Sequence, residues 1–86
     1  MREVLEALDG LRTGGFAVGP QWHAAHKLAQ DHEGEPVYDW LHAFCHRIEG
    51  DDWNAGYWYR RAGKARGEGS LEEEWVVMRA TLAGDG

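Results

Sequence analysis

Apolar residues recur at helical spacing along most of the chain, and glycine or proline interrupts the pattern at intervals. In the clearest series, Val37, Leu41, Phe44 and Ile48 fall at i, i+4, i+7 and i+11, which predicts an amphipathic helix. The same reasoning predicts five helices, at about residues 2–11, 21–31, 37–48, 53–62 and 71–82. We therefore expect an all-α fold, a compact bundle of four main helices with a short N-terminal helix.

Size and charge limit the possible functions. The 86 residues have room for one helical domain, residues 1–86, with a tail at 84–86 that is expected to fray. Fifteen acidic residues against nine Lys and Arg give a net charge of −6, which argues against nucleic acid or a membrane as partner. No segment approaches the ~18 apolar residues of a membrane span. The single cysteine, Cys45, excludes an internal disulfide and favours a cytoplasmic location.

The corner between the third and fourth helices predicts an antiparallel hairpin. Only four residues, 49–52, separate the two periodic segments, so the helices must lie side by side. Gly50 is expected to end the third helix in the left-handed conformation, and Asp51 or Asp52 to cap the fourth. Gly34 lies in a more polar loop and is expected to tolerate substitution better. Ser70 and Glu73 match a capping box at the start of the last helix.

Histidines supply the candidate metal site. His42, His46 and Glu49 lie on one stripe of the third helix, and two imidazoles with a carboxylate are ligands that zinc or iron accepts. His26 can join them if its helix packs there. The alternative is that the rings only make hydrogen bonds or face water. The surrounding acids favour imidazolium rings paired with Glu49 or Asp39 over buried neutral rings. No cofactor other than a divalent metal is indicated.

Aromatic residues suggest a core cluster and a ligand pocket. Three tryptophans lie on apolar stripes and are predicted to form one cluster: Trp40, Trp53 and Trp75. A candidate ligand pocket combines four other side chains: Trp22, His26, Tyr38 and Trp58. The alternative for all of these aromatic rings is that they fill space in the core.

Basic residues concentrate in the last turn of the fourth helix and just after it, at Arg60, Arg61, Lys64 and Arg66. Arg60 and Arg61 are candidate contacts for an anion or an acidic partner. The alternative is that the cluster complements the helix dipole and pairs with the acidic run 72–74.

Two stretches resemble known families. The segment 41–62, with Gly50-Asp51 at its corner, resembles a single tetratricopeptide or Sel1-like hairpin. A longer string resembles a family of small uncharacterised, mainly bacterial helical proteins: Trp22-x-x-x-His26, Trp40-Leu-His42-x-x-x-His46-Arg-Ile-Glu-Gly-Asp51 and Asn54-Ala-x-Tyr-Trp-Tyr-Arg-Arg-Ala-Gly63. Both resemblances imply a compact helical fold, and neither assigns a catalytic residue.

Two function hypotheses follow from these observations. The first is a small non-enzymatic helical module that binds a protein partner, a small ligand or a second copy of itself. It rests on the hairpin, the abundance of tryptophan and the absence of an evident nucleophile. The second is a metal-binding protein, or a small metal-dependent enzyme, that uses His42, His46 and Glu49.

Overall fold

A computed structural model describes residues 1–84 of the chain, and in these residues all regular structure is helical. The helices are α1 (Arg2–Thr13), α2 (Pro20–Asp31), α3 (Pro36–Glu49), α4 (Asp52–Ala62) and α5 (Leu71–Ala83). Their bounds differ from the predicted ones by at most two residues, and the all-α prediction is confirmed. α1 is as long as α2, so the bundle has five helices of similar length. Of the tail at 84–86 predicted to fray, Gly84 is the C-cap of α5, and residues 85 and 86 lie outside the described residues.

The helix ends follow local signals in the sequence. Gly50 has a φ of 87° and ends α3 in the left-handed conformation, as predicted. The side chain of Asp51 caps α4 by accepting a hydrogen bond from the backbone N–H of Asn54 at 3.1 Å. Ser70 and Glu73 make both hydrogen bonds of a capping box at the start of α5.

Helix α3 lies at the centre of the bundle. It packs antiparallel to α4 through the most extensive helix contact of the fold and also contacts α2 and α1. Its side chains from Trp40 to Cys45 are all buried. Helix α1 packs on α2 and α5, and contributes Val4, Leu8 and Leu11 to the core. Because both faces of α3 are covered, its histidines lie against neighbouring helices.

The predicted cluster of Trp40, Trp53 and Trp75 is wrong, because the side chain of Trp53 is 77 % exposed. Trp53 is five residues before the buried Trp58, which places it about 140° round α4 from the core face. Trp75 is buried but donates its indole N–H to the carbonyl of Leu8 on α1. The ring of Trp40 lies under the ammonium of Lys64, 4.6 Å from the ring centroid.

A buried polar network attaches α5 to the α3–α4 hairpin. The guanidinium of Arg47 donates to the carboxylate of Glu74 and to the carbonyl of Gly69. The hydroxyl of Tyr59 donates to the other carboxylate oxygen of Glu74. Burial and this hydrogen bond raise the pKa of the Tyr59 phenol well above its ordinary value. The network fixes the direction of α5 relative to the hairpin.

The glycines of the two turns beside α3 give a prediction about stability. Gly34 has a φ of 97° and Gly50 a φ of 87°, so the expectation that Gly34 tolerates substitution better is not supported. We expect Gly50→Ala and Gly34→Ala each to lower the free energy of unfolding by about 1–2 kcal/mol, because alanine is strained at positive φ. Urea denaturation of the purified variants measures the loss.

Gly56 provides the matched control within the same hairpin. It lies inside α4, and an added Cβ would meet only the flexible end of Arg60 at 3.4 Å. Gly56→Ala is therefore expected to raise the free energy of unfolding by about 0.5–1 kcal/mol. A Gly50→Ala protein that is as stable as the wild type, or more stable, would contradict the assigned turn.

Candidate metal centre

Three histidines from two helices converge between α2 and α3. His26 comes from α2, and His42 and His46 come from successive turns of α3. The ring centroids are 4.9 Å apart for His26 and His42, 5.2 Å for His26 and His46, and 4.9 Å for His42 and His46. One ring nitrogen from each residue lies within 4.8 Å of the nitrogens of the other two. This cluster is called the three-histidine cluster below.

Two tryptophans hold the cluster in place. The indole N–H of Trp22 donates to the backbone carbonyl of Cys45 at 2.8 Å, which fixes α2 against α3. The ring of Trp22 stacks on that of His26 with centroids 4.7 Å apart, and the ring of Trp58 from α4 stacks on that of His42 at 4.0 Å. An indole therefore covers one face of the His26 ring and one face of the His42 ring, and His42 is buried, whereas His26 and His46 are half-buried.

Two nitrogens of the cluster are buried and have no hydrogen-bond partner: Nε2 of His26 and Nδ1 of His42. Such groups are uncommon, because a buried polar atom without a partner costs about 1–3 kcal/mol. A lone pair on an unprotonated imidazole nitrogen is also the group that binds a transition metal. The two unpaired nitrogens are therefore candidate ligand atoms for a metal ion.

Glu49 lies behind the cluster and not in it. Its carboxylate contacts Nδ1 of His46 at 2.6 Å, and the His46 side chain is 12 % exposed. Because this contact occupies Nδ1 of His46, Nε2 is the ring nitrogen left to bind a metal ion. When a histidine binds a metal ion through one ring nitrogen, a carboxylate bonded to its other ring nitrogen fixes the orientation of the ring and increases its basicity. The structure thus brings His26, which the sequence allowed to join the site, together with His42 and His46, and places Glu49 beside the ring of His46.

A second group of donors, His46, Glu49 and Asp51, also comes within 4.8 Å. Asp51 already accepts hydrogen bonds from the backbone and side-chain nitrogens of Asn54 as the cap of α4. Those bonds lower its pKa. Its hydrogen-bonding capacity is therefore used for the helix end, and this second group offers no enclosed site.

The surroundings favour the unprotonated form of two rings in the cluster, His26 and His42. Burial, followed by the nearby rings of His26 and His46, lowers the pKa of His42 to about 4. Burial also lowers the pKa of His26, and His46 adds to the effect. The expectation of a paired imidazolium is therefore wrong for His42. Asp39, the other proposed partner, accepts a hydrogen bond from the backbone N–H of Gly34.

The four residues of the candidate ligand pocket separate into two places. Trp22, His26 and Trp58 belong to the three-histidine cluster and its walls. Tyr38 lies elsewhere on α3 and stacks on the ring of His32 with centroids 4.1 Å apart. Trp22 and Trp58 are only 5 % and 9 % exposed, so both rings serve as walls and offer little surface for a further ligand.

Arg60 and Arg61 lie on the exposed side of α4 and do not pair with the acidic run 72–74, which was the alternative considered for them. Glu72 pairs with Arg12 at 3.0 Å and Glu74 with Arg47, so that alternative is wrong for these two acids. Glu73 caps α5 by accepting a hydrogen bond from the backbone N–H of Ser70. The guanidinium of Arg61 lies over the ring of Trp58, 5.2 Å from its centroid.

Comparison with protein-family models, with curated proteins and with solved structures found no match. Within residues 1–84, no helix combines the length and the apolar character needed to cross a bilayer.

Proposed function

We propose that this protein is a small non-enzymatic binding module whose ligand is a divalent transition-metal ion. The ion is held by His26, His42 and His46, and zinc fits the donor set best. The observation that supports this most directly is the pair of buried, unpaired nitrogens on His26 and His42 in a cluster of three convergent rings. Mg²⁺ and Ca²⁺ prefer oxygen ligands, so neutral imidazoles argue against them.

Zinc matches the geometry that the rings can reach. Zn–N bonds are about 2.0–2.1 Å long, so nitrogens on a tetrahedral ion are about 3.3 Å apart. The ring nitrogens here lie within 4.8 Å of one another. Binding one ion would require side-chain rotations that shorten these separations by up to about 1.5 Å. An ion bound through Nε2 of His26 and Nδ1 of His42 would also give these two unpaired nitrogens a partner.

A binding role is favoured over catalysis because the cluster has few other reactive groups around it. The walls are the indoles of Trp22 and Trp58, and Glu49 is engaged with Nδ1 of His46. Burial raises the pKa of the Cys45 thiol, so a thiolate nucleophile is disfavoured there. The proposed location is the cytoplasm, which agrees with a single buried cysteine.

Isothermal titration of the untagged, chelator-treated protein with ZnCl₂ tests the proposal. We expect one ion per chain, and at least about 100-fold weaker binding for each of His26→Ala, His42→Ala and His46→Ala, because each removes a ligand. Glu49→Gln is expected to weaken binding by about 10–100-fold, since it removes the group that orients His46.

His32→Ala is the matched control, because His32 pairs with Glu35 and stacks on Tyr38 outside the cluster. Its zinc affinity is expected to equal that of the wild type. The absence of any heat or thermal shift with Zn²⁺, Co²⁺, Ni²⁺ or Cu²⁺ would contradict the proposal. Binding that all three cluster variants retain would contradict it equally.

A further inference from the structure

The outer side of α4 presents aromatic and basic side chains to solvent. Trp53 is 77 % exposed and Tyr57 is 38 % exposed, one helical turn apart. Arg60 and Arg61 follow on the next turn, and both are exposed. We call Trp53, Tyr57, Arg60 and Arg61 the α4 outer face. Tryptophan, tyrosine and arginine are the residues most enriched where protein interfaces gain their binding energy.

The two arginines of this face make no ion pair within the part of the chain that the structure describes. Within residues 1–84, no carboxylate lies within 4.0 Å of the guanidinium of Arg60 or Arg61. Arg61 instead donates to the hydroxyl of Tyr57 at 3.0 Å. Four of the nine Lys and Arg residues lie in the seven positions 60–66 of a chain with a net charge of −6. The face is therefore a positive, aromatic patch on an acidic protein.

The complementary surface is present on the other side of the same chain. A groove of about 320 Å³ runs between α1 and α2. The carboxylates of Glu3 and Glu6 lie at this groove. The small and apolar residues that line it include Ala7, Gly10, Ala24 and Leu28. Gly10 has no side chain, and a Cβ there would meet the side chain of Gln21 at 3.8 Å, so a ring seated at this point would pack against Gln21.

The spacing of the aromatic and basic residues on α4 equals that of the groove and its carboxylate on α1. Seven residues separate Trp53 from Arg60, and seven separate Gly10 from Glu3, which is about 10 Å of helix in each case. With α4 antiparallel to α1 of another molecule, the indole of Trp53 lies over Gly10 while Arg60 reaches Glu3. Antiparallel helices also place opposite ends of the helix dipoles together.

We propose that a second copy of this chain docks the α4 outer face in the α1–α2 groove. Trp53 is the anchor in the groove, and Arg60 and Arg61 pair with Glu3 and Glu6 of the copy that supplies the groove. This contact joins two different surfaces, so the association is head-to-tail. The copy at one end of such an assembly has a free α4 outer face, and the copy at the other end has a free α1–α2 groove. The association is therefore expected to extend with concentration.

Sedimentation velocity from micromolar to millimolar protein tests the contact, with EDTA present so that a shared metal ion cannot contribute. The wild type is expected to associate reversibly. Trp53→Ala is expected to weaken association by about 30-fold or more, because it removes the anchor. Val77→Ala is the control, since Val77 is 58 % exposed on α5 and belongs to neither surface.

Charge reversal tests the pairing between the two surfaces. R60E/R61E and E3K/E6K are each expected to abolish association, and a variant that carries all four changes is expected to recover it. Circular dichroism shows whether each variant is folded. A wild type that stays monomeric at every concentration overturns the proposal and leaves the α4 outer face to a different protein. Association that Trp53→Ala weakens but charge reversal does not alter also overturns it, because the groove is then elsewhere.

Discussion

Phe44→Ala is expected to lower the free energy of unfolding by about 3–5 kcal/mol. Phe44 has no exposed surface and lies at the middle of α3, the helix that contacts α1, α2 and α4. Its ring meets that of Phe16 edge to face, with centroids 6.2 Å apart. Truncation therefore removes the transfer free energy of a phenyl ring and leaves a cavity between several helices. In a domain whose total stability is of the order of 5–15 kcal/mol, this is a large fraction.

Chemical denaturation in urea, followed by circular dichroism, measures this loss. Val77→Ala is again the control, and a change within about 0.5 kcal/mol is expected at that exposed position. A loss of 1 kcal/mol lowers the melting temperature of a domain of this size by about 4–8 °C. A Phe44→Ala protein that melts within a degree or two of the wild type would contradict the placement of α3 at the centre of the fold.

Local chemistry explains why the helices could be predicted closely. Gly50 at positive φ, the Asp51 cap and the Ser70–Glu73 capping box act within a few residues of the chain. The environment of Trp53 could not be predicted in the same way. Its burial depends on which side of α4 faces α3, and the apolar residues of α4 lie on two sides of the helix.

The candidate metal site was predictable only in part. His42 and His46 are one turn apart on α3, so periodicity alone places them together. His26 is on another helix, and its approach depends on the docking of α2, which the hydrogen bond from Trp22 to the carbonyl of Cys45 fixes. Glu49 is three residues from His46, and its carboxylate contacts Nδ1 of the His46 ring. It therefore orients this ring and is not a member of the three-histidine cluster.

Acid is expected to destabilise the metal-free protein, with His42 as a principal cause. The folded pKa of His42 is about 4, against an ordinary value of 6.5. A lowered folded pKa means that the unfolded chain takes up the proton first, so the stabilisation is complete above pH 6.5 and is lost as the pH falls towards 4. A shift of this size corresponds to about 3 kcal/mol. The lowered pKa of His26 acts in the same direction.

Urea denaturation between pH 7.5 and 4 measures this dependence, and the comparison with His42→Gln isolates it, because glutamine is polar but does not titrate. Carboxylates contribute to acid unfolding in both proteins, so only the difference between the two curves reports on His42. The stability of the wild type relative to that of His42→Gln is expected to fall by about 3 kcal/mol from pH 7.5 to pH 4. Saturating zinc keeps the rings unprotonated and is expected to make the wild-type curve steeper, because protons must displace the ion.

Parallel curves for the wild type and His42→Gln would show that His42 has the same pKa in the folded and unfolded states, and would exclude a buried neutral ring.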